Sequence, residues 1–282
     1  MSLDPIDFSD LKNKTAVITG GAGVLCTSFA EALASVGANL ALLDLNEEAA
    51  VELAGRLQAE TGVQTIGIQA DVLSEESLVV AREIIHSELG SVDILVNGAG
   101  GNAPSATTGI EQLSDPGDLE SSFFGLKLDG FKSAFDLNFI GTMLPTQVLA
   151  WDMVERRKGA IINISSMNAF KPLTKIPAYS AAKSAVSNFT EWLAVHLAPM
   201  GIRVNAIAPG FFLTEQLKFL AFDEEGNLTP RYQRVHQKTP MNRLGKPEEL
   251  KGTLLYLASD ISSFVTGVVI PVDGGFNASS GI

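Results

Sequence analysis

The chain is short of sulfur, histidine and positive charge, and each shortage excludes something. One cysteine, Cys26, among 282 residues rules out an intrachain disulfide and suits a reducing compartment. The three histidines, His86, His196 and His236, share no metal-ligand spacing with one another or with Cys26, so no catalytic metal is expected. Twenty Lys and Arg stand against 32 Asp and Glu, a formal net charge of −12. With that sign, and no basic run or aromatic-interleaved patch, nucleic acid is not an expected partner. No uninterrupted apolar stretch approaches about 18 residues, so no membrane span is expected. The opening Met1-Ser2-Leu3-Asp4-Pro5 has neither the basic n-region nor the apolar h-region of a signal peptide. The expectation is a soluble, cytoplasmic protein. What the chain does have is apolar content: 46% hydrophobic residues and a mean hydropathy of +0.21 supply a sizeable core and argue against disorder.

Short β-branched or apolar runs at 15–18, 39–43, 64–69, 92–96, 160–164, 202–207 and 268–272 alternate with segments of helical length. That alternation predicts an α/β fold of the Rossmann type: a doubly wound, parallel, seven-stranded sheet with helices on both faces. No Pro/Ser-rich linker divides the chain, so residues 1–282 are read as a single domain. The first helix is expected over about 24–36, with Phe29, Leu33 and Val36 inward. Two segments interrupt the rhythm. Residues 100–125 read as a long polar loop, and 211–247 mixes short helical pieces with turn signals. Long irregular segments in a compact α/β protein are often lids or binding loops, and 211–247 is the candidate substrate lid. Tolerated surface insertions would look the same.

The strand at 15–18 runs into Thr19-Gly20-Gly21-Ala22-Gly23 and then a helix beginning Val24-Leu25. A glycine turn there exposes backbone N–H groups at the positive end of a helix dipole, a site for a pyrophosphate. Asp44 ends the second strand, where a carboxylate accepts hydrogen bonds from ribose hydroxyls and repels a 2′-phosphate. No basic residue stands in the turn, so NAD(H) is expected rather than NADP(H). Asp71-Val72 is read as closing the third strand and Asn97-Gly98-Ala99-Gly100 the fourth, both at the strand ends that form the binding crevice.

Tyr179 and Lys183, in Y-S-A-A-K, lie four residues apart and share one helix face. An ammonium beside a phenol favours the phenolate. Half-ionising a tyrosine near neutral pH requires about 3 pKa units, or about 4 kcal/mol. Such a tyrosine trades a proton with a carbonyl or alcohol oxygen. Alone, the pair is equally an exposed surface pair. Ser166, thirteen residues earlier, ends the strand-like Ala160-Ile161-Ile162-Asn163-Ile164-Ser165-Ser166, and Ser165 competes with it for the same role. Asn138 lies in D-L-N-F-I-G on an apparent helix.

With these motifs in this order, T-G-G-A-G-V-L-C, D-V at 71–72, N-G-A-G, Asn138, S-S before Y-S-A-A-K, A-P-G-F-F-L-T and V-D-G-G-F, the chain resembles the short-chain dehydrogenase/reductases over about residues 10–277. Within that superfamily it is most similar to the D-mannonate oxidoreductases, also called fructuronate reductases, through G-V-L-C, G-G-N-A-P-S-A-T-T, L-P-T-Q, S-M-N-A-F-K-P-L-T-K-I-P-A-Y and F-F-L-T-E-Q. The resemblance implies that Tyr179 gives the proton to a substrate carbonyl as NADH delivers hydride. Lys183 lowers the tyrosine pKa and holds the nicotinamide ribose, Ser166 orients the carbonyl, and Asn138 supports a water chain. It also implies cofactor contacts from Pro209, Gly210, Phe212 and Thr214, substrate contacts from Asn102, Met167 and Asn168, and a homotetramer built on long helices near 131–156 and 178–199. Lys171, Lys175, Arg231 and Arg243 are candidates to meet a sugar-acid carboxylate. The reaction expected is interconversion of D-fructuronate and D-mannonate. A reductase of another keto-gluconate, polyol or 3-oxoacyl substrate shares the catalytic residues, and a non-catalytic nucleotide sensor shares the fold. One departure stands out: the superfamily turn is T-G-x-x-x-G-x-G, and Val24 and Cys26 occupy its second and third glycine positions.

Overall fold

Period-two alternation within each strand sends side chains to opposite faces of the sheet. In β1 (Thr15–Thr19), Ala16 and Ile18 enter one apolar cluster and Val17 another. In β2 (Asn39–Asp44), Leu40 and Leu42 follow the first, and Ala41 and Leu43 the second. The computed structural model describes residues 7–213, 221–223 and 225–280, and in it every strand pairing is parallel. With β3 (Thr65–Gln69), β4 (Ile94–Asn97), β5 (Gly159–Ile164), β6 (Ile202–Pro209) and β7 (Val269–Val272), the sheet order is β3-β2-β1-β4-β5-β6-β7. Both faces being buried explains why the strands read as continuous apolar runs.

Helices α1 (Val24–Ser35), α2 (Glu47–Thr61) and α9 (Lys251–Ala258) cover the first face; α3 (Glu75–Glu88), α5 (Gly141–Leu149), α6 (Trp151–Arg156) and α7 (Pro177–Leu197) cover the second. Phe29 and Leu33 of α1 are fully buried, as expected. Asn46 and Ser74 cap α2 and α3 by accepting from Ala49 N and Ser77 N, each at 3.2 Å. Gly23, which precedes α1, offers no side-chain cap, so the first-turn N–H groups there stay open to a ligand.

The long helix expected over 131–156 is broken. It consists of α4 (Leu128–Phe135), a π-helical turn at Asp136–Ile140, α5 and, after Ala150, α6. The π turn inserts one extra residue per turn and rotates Asn138 inward, where it is fully buried. Pro145, lacking an N–H, sits inside α5. The third strand also ends early, at Gln69, because Asp71 N already bonds the Ser77 hydroxyl at 3.0 Å and belongs to the turn into α3.

Residues 100–125 are a series of 3-10 turns rather than an open loop, tied to the loop after β5 by Thr108 N to Lys175 O at 2.9 Å. The 211–247 segment carries α8 (Pro230–Lys238) and its own apolar cluster, in which Tyr232, Val235 and Leu244 meet Phe211 and Leu213.

Candidate active site

β1 stands between β2 and β4, so the crossovers leave it in opposite directions and a crevice opens at its C-terminal end. A cavity of about 550 Å³ fills that crevice. Gly20, Gly23, Val24 and Leu25 line its floor, and the open first turn of α1 points into it. Gly20 has φ +62°, and a Cβ there would lie 2.9 Å from Ala99 Cα, so only glycine lets the turn close on the β4 loop. Cys26 resolves the departure from the glycine pattern. Its Sγ occupies the space that a Cβ at Gly98 would enter, at 2.2 Å, so the missing side chain has moved from the turn to the facing strand end. Burial pushes the Cys26 thiol up to about 12, with Asp44 adding to the shift, so it packs as a neutral group.

Asp44 lines the far end of the cavity beside Leu45, Ala70 and Val72. Its two oxygens accept from Ala22 N at 3.1 Å and Asn46 N at 3.0 Å, which fixes the carboxylate in place and leaves lone pairs for a ligand. Lys183, at the opposite end, is the only basic side chain among the described residues lining the cavity.

Ser166, Tyr179 and Lys183 share that opposite end with Pro209, Gly210 and Phe212. The Ser166 hydroxyl is the polar side chain that favours the Tyr179 phenolate. Ser165, the competing serine, is engaged elsewhere, with its hydroxyl 2.7 Å from Ser187 Oγ and 3.2 Å from Lys183 O. Lys183 Nζ donates to Ile164 O at 2.7 Å, and burial brings its pKa down to about 8. It lies 5.7 Å from the centre of the Tyr179 ring. The expectation that Lys183 lowers the Tyr179 pKa is not met in this state. Desolvation raises that pKa, and only the Ser166 hydroxyl opposes it. Asn138 donates to Gly101 O and Ala134 O, each at 2.7 Å, and accepts from Gly101 N at 3.1 Å. A Cβ at Gly100 would lie 2.7 Å from Asn138 Oδ1 and 3.1 Å from Lys183 Nζ, so the two side chains meet across that glycine.

Several expected contacts are placed elsewhere. Asn97 turns its amide into the sheet, donating to Thr146 Oγ1 and Asn163 Oδ1 at 2.8 Å each. Asp71 accepts from Leu73 N at 2.9 Å and does not line the cavity. Gly21 is packed beneath the turn, its N–H held by Leu43 O at 3.0 Å. Asn102 is exposed and bonded to Thr107. Met167 is buried off the cavity, and Asn168 braces the loop after β5 by bonding Ser166 Oγ and Leu173 N. Thr214 lies outside the described residues. Gly101, Leu137 and Ile164 line the cavity without having been expected; strand-end position was the available signal for Gly101 and Ile164. Arg243 is committed to Glu249 through two bonds of 2.6 and 2.7 Å, which removes it as a carboxylate partner. Lys171, Lys175 and Arg231 converge instead on a second cavity.

The family model described as "Enoyl-(Acyl carrier protein) reductase" matches residues 22–277. The chain is 50% identical over 275 residues to an "Uncharacterized oxidoreductase" of Haemophilus influenzae, covering 97% of this chain and 96% of that one. It is 48% identical over 274 residues to the "Uncharacterized oxidoreductase UxuB" of Bacillus subtilis, covering 97% and 98%. It also superposes, with a TM-score of 0.92 and 50% identity over 97% of this chain and 98% of the other, on a solved structure described as "a putative D-Mannonate oxidoreductase from Haemophilus influenza" with bound NAD.

Proposed function

Because the chain belongs to the short-chain dehydrogenase/reductase family, we propose that it is an NAD(H)-dependent oxidoreductase that interconverts D-fructuronate and D-mannonate. One observation carries the reading. A single cavity has an anchored carboxylate, Asp44, at one end and the Ser166–Tyr179 pair with Lys183 at the other. The solved relative with bound NAD supports the cofactor, and its description supports the substrate.

The residues suit a dinucleotide. Gly20 and the uncapped start of α1 would hold the pyrophosphate, and Asp44 would accept from the ribose hydroxyls while its charge would disfavour a 2′-phosphate. Bound there, the dinucleotide supplies or takes up the hydride. Tyr179, kept protonated at neutral pH by its burial, donates its proton to the carbonyl oxygen. Ser166 orients that oxygen through its hydroxyl. Lys183, with a pKa of about 8, is charged at neutral pH and would hold the nicotinamide ribose. Asn138 locks the Gly100–Gly101 loop beside Lys183 and leads protons toward solvent. Oxidation reverses each step.

The 211–247 segment acts as the substrate lid, and its own apolar cluster supports that reading. The working unit is a cytoplasmic homotetramer. Trp192 and Val195, 58% and 78% exposed on one face of α7, support burial of that face against another copy.

The test is initial-rate NADH consumption with D-fructuronate, with NADPH and a keto-gluconate alongside. Turnover with NADH and fructuronate is the expected result. Activity on a different ketose acid alone would discard the substrate, and silence on all of them with NADH still bound would discard the enzyme.

A further inference from the structure

The second cavity, of about 360 Å³, lies between α8 and the loop 171–176. Its wall carries five basic side chains, Lys171, Lys175, Arg231, Arg234 and Lys238, and one carboxylate, Glu111. On a chain of net charge −12 that concentration runs against the global field.

The one carboxylate is committed, since Glu111 accepts from Arg234 at 2.7 Å. Lys175 Nζ is held by Gly109 O at 2.6 Å, and Lys171 Nζ by Ser279 O. A carbonyl orients an ammonium without neutralising it, so both lysines keep their charge for a ligand. Among the described residues, Arg231 and Lys238 form no ion pair. Positions 231, 234 and 238 recur at helical spacing along α8, so the three point the same way. Phe211 and Phe276, packed edge to face at 5.4 Å between ring centres, supply an apolar wall.

The linings of the two cavities meet along the chain at two places. Gly210 and Phe212 line the first while Phe211 lines the second, and Ile176 lines the second while Tyr179 lines the first. Ile176 is the N-cap of α7 and Tyr179 lies three positions further on, a rise of about 4.5 Å along the helix. We propose that this cavity is the carboxylate-binding half of the substrate site, shaped for an acid group about four carbons from the carbonyl that is reduced. Four carbon–carbon bonds of about 1.5 Å span about 5 Å in a zigzag. A hexulosonate with its keto group and its acid at opposite ends of the chain meets that requirement. The inference rests on the function proposed above. It adds that the acid group bridges α8 to the 171–176 loop.

The test is steady-state kinetics of the full-length enzyme with D-fructuronate, comparing wild type, Arg231→Gln/Lys238→Gln and Glu111→Gln, with NADH affinity measured by fluorescence. The double variant, altered only at exposed positions, is expected to raise KM about 10- to 100-fold with kcat and NADH affinity unmoved. Glu111→Gln, which frees Arg234, is expected to lower KM. Turnover with KM unchanged in the double variant would overturn the inference and leave the proposed function intact. If wild type reduces no keto acid, the function falls and calorimetry with D-mannonate decides the inference. Binding lost in the double variant upholds it, and no binding by wild type overturns it.

Discussion

Gly98 and Cys26 form one packing unit, and a double-mutant cycle tests it. A methyl at position 98 would sit 2.2 Å from Cys26 Sγ and 2.9 Å from Thr19 O. The sulfur is buried and lies 3.7 Å from Thr19 O, so moving aside gives up that contact. Gly98→Ala is therefore expected to destabilise by about 1–3 kcal/mol through overpacking. Cys26→Ala leaves a small void and costs about 1 kcal/mol. In the double variant the new methyl takes the vacated space, so its cost falls short of the sum by about 1–2 kcal/mol. The contact with Thr19 O persists and keeps the rescue incomplete. Urea unfolding gives the four stabilities. NADH fluorescence, run in parallel, should show binding weakened in Gly98→Ala and recovered in the double variant, since both residues line the cofactor cavity. Additivity within about 0.3 kcal/mol would refute the shared-space argument.

Four further outcomes follow from the geometry. Tyr179→Phe should lower kcat by about 10²- to 10⁴-fold while NADH affinity, measured by fluorescence, holds. Asp44→Ser should weaken NADH and narrow its advantage over NADPH, read as a ratio of kcat/KM values. Burial lowers the Lys183 pKa from 10.5 to about 8, so the folded state binds this proton less tightly than the unfolded chain and stability rises with pH across that window. Reduction should slow as pH climbs through about 8 and the ammonium is lost. Lys183→Met should abolish turnover yet raise stability at pH 7 by about 1–2 kcal/mol in urea, the relieved charge burial exceeding the lost bond to Ile164 O. Glu249, held by Arg243 down to about 2, contributes stability above its ordinary 4.5 that is lost as pH falls through about 2. Because the pair is exposed, Glu249→Gln should cost under about 1 kcal/mol at pH 7.

Strands were legible because sheet burial on two faces leaves an apolar run that no surface element imitates; all seven lie within two residues of where the residues placed them. That Ser166, Tyr179 and Lys183 share one cavity was legible for a similar reason, since Tyr179 and Lys183 sit in one helix and Ser166 at a strand end. Asn97 and Asp71 show that a polar residue at a strand end has two destinations. The loop sends one toward the ligand, whereas Asn97 bonds Asn163 across to β5 and Asp71 closes its own turn. The break in the 131–156 helix was hidden because D-L-N-F-I-G has ordinary helical periodicity, and only tertiary contact with Gly101 selects the π turn. Arg234 and Lys238 were missed although their spacing from Arg231 was visible. A basic helix face looks like a solvated one until a loop 60 residues away folds over it.

The place of β1 in the sheet also governs how the protein must come into being. β1, β2 and β3 are neighbours in both sequence and space, so this half can assemble from local pairings. β4 is expected to join afterwards, since Thr15 N must reach Asp93 Oδ2 across 78 positions. Contacts of that separation form slowly, because a long loop must close before they are rewarded. Gly20 meets Ala99 only after that closure, so the chain acquires its dinucleotide crevice at the seam between an early half and a late one. A ligand binding there clasps the two halves together and favours only the finished sheet. Partly assembled chains, with β1 still an open edge, have nothing to hold it. Supply of the cofactor during synthesis would thus act as a checkpoint on maturation, separate from its part in turnover.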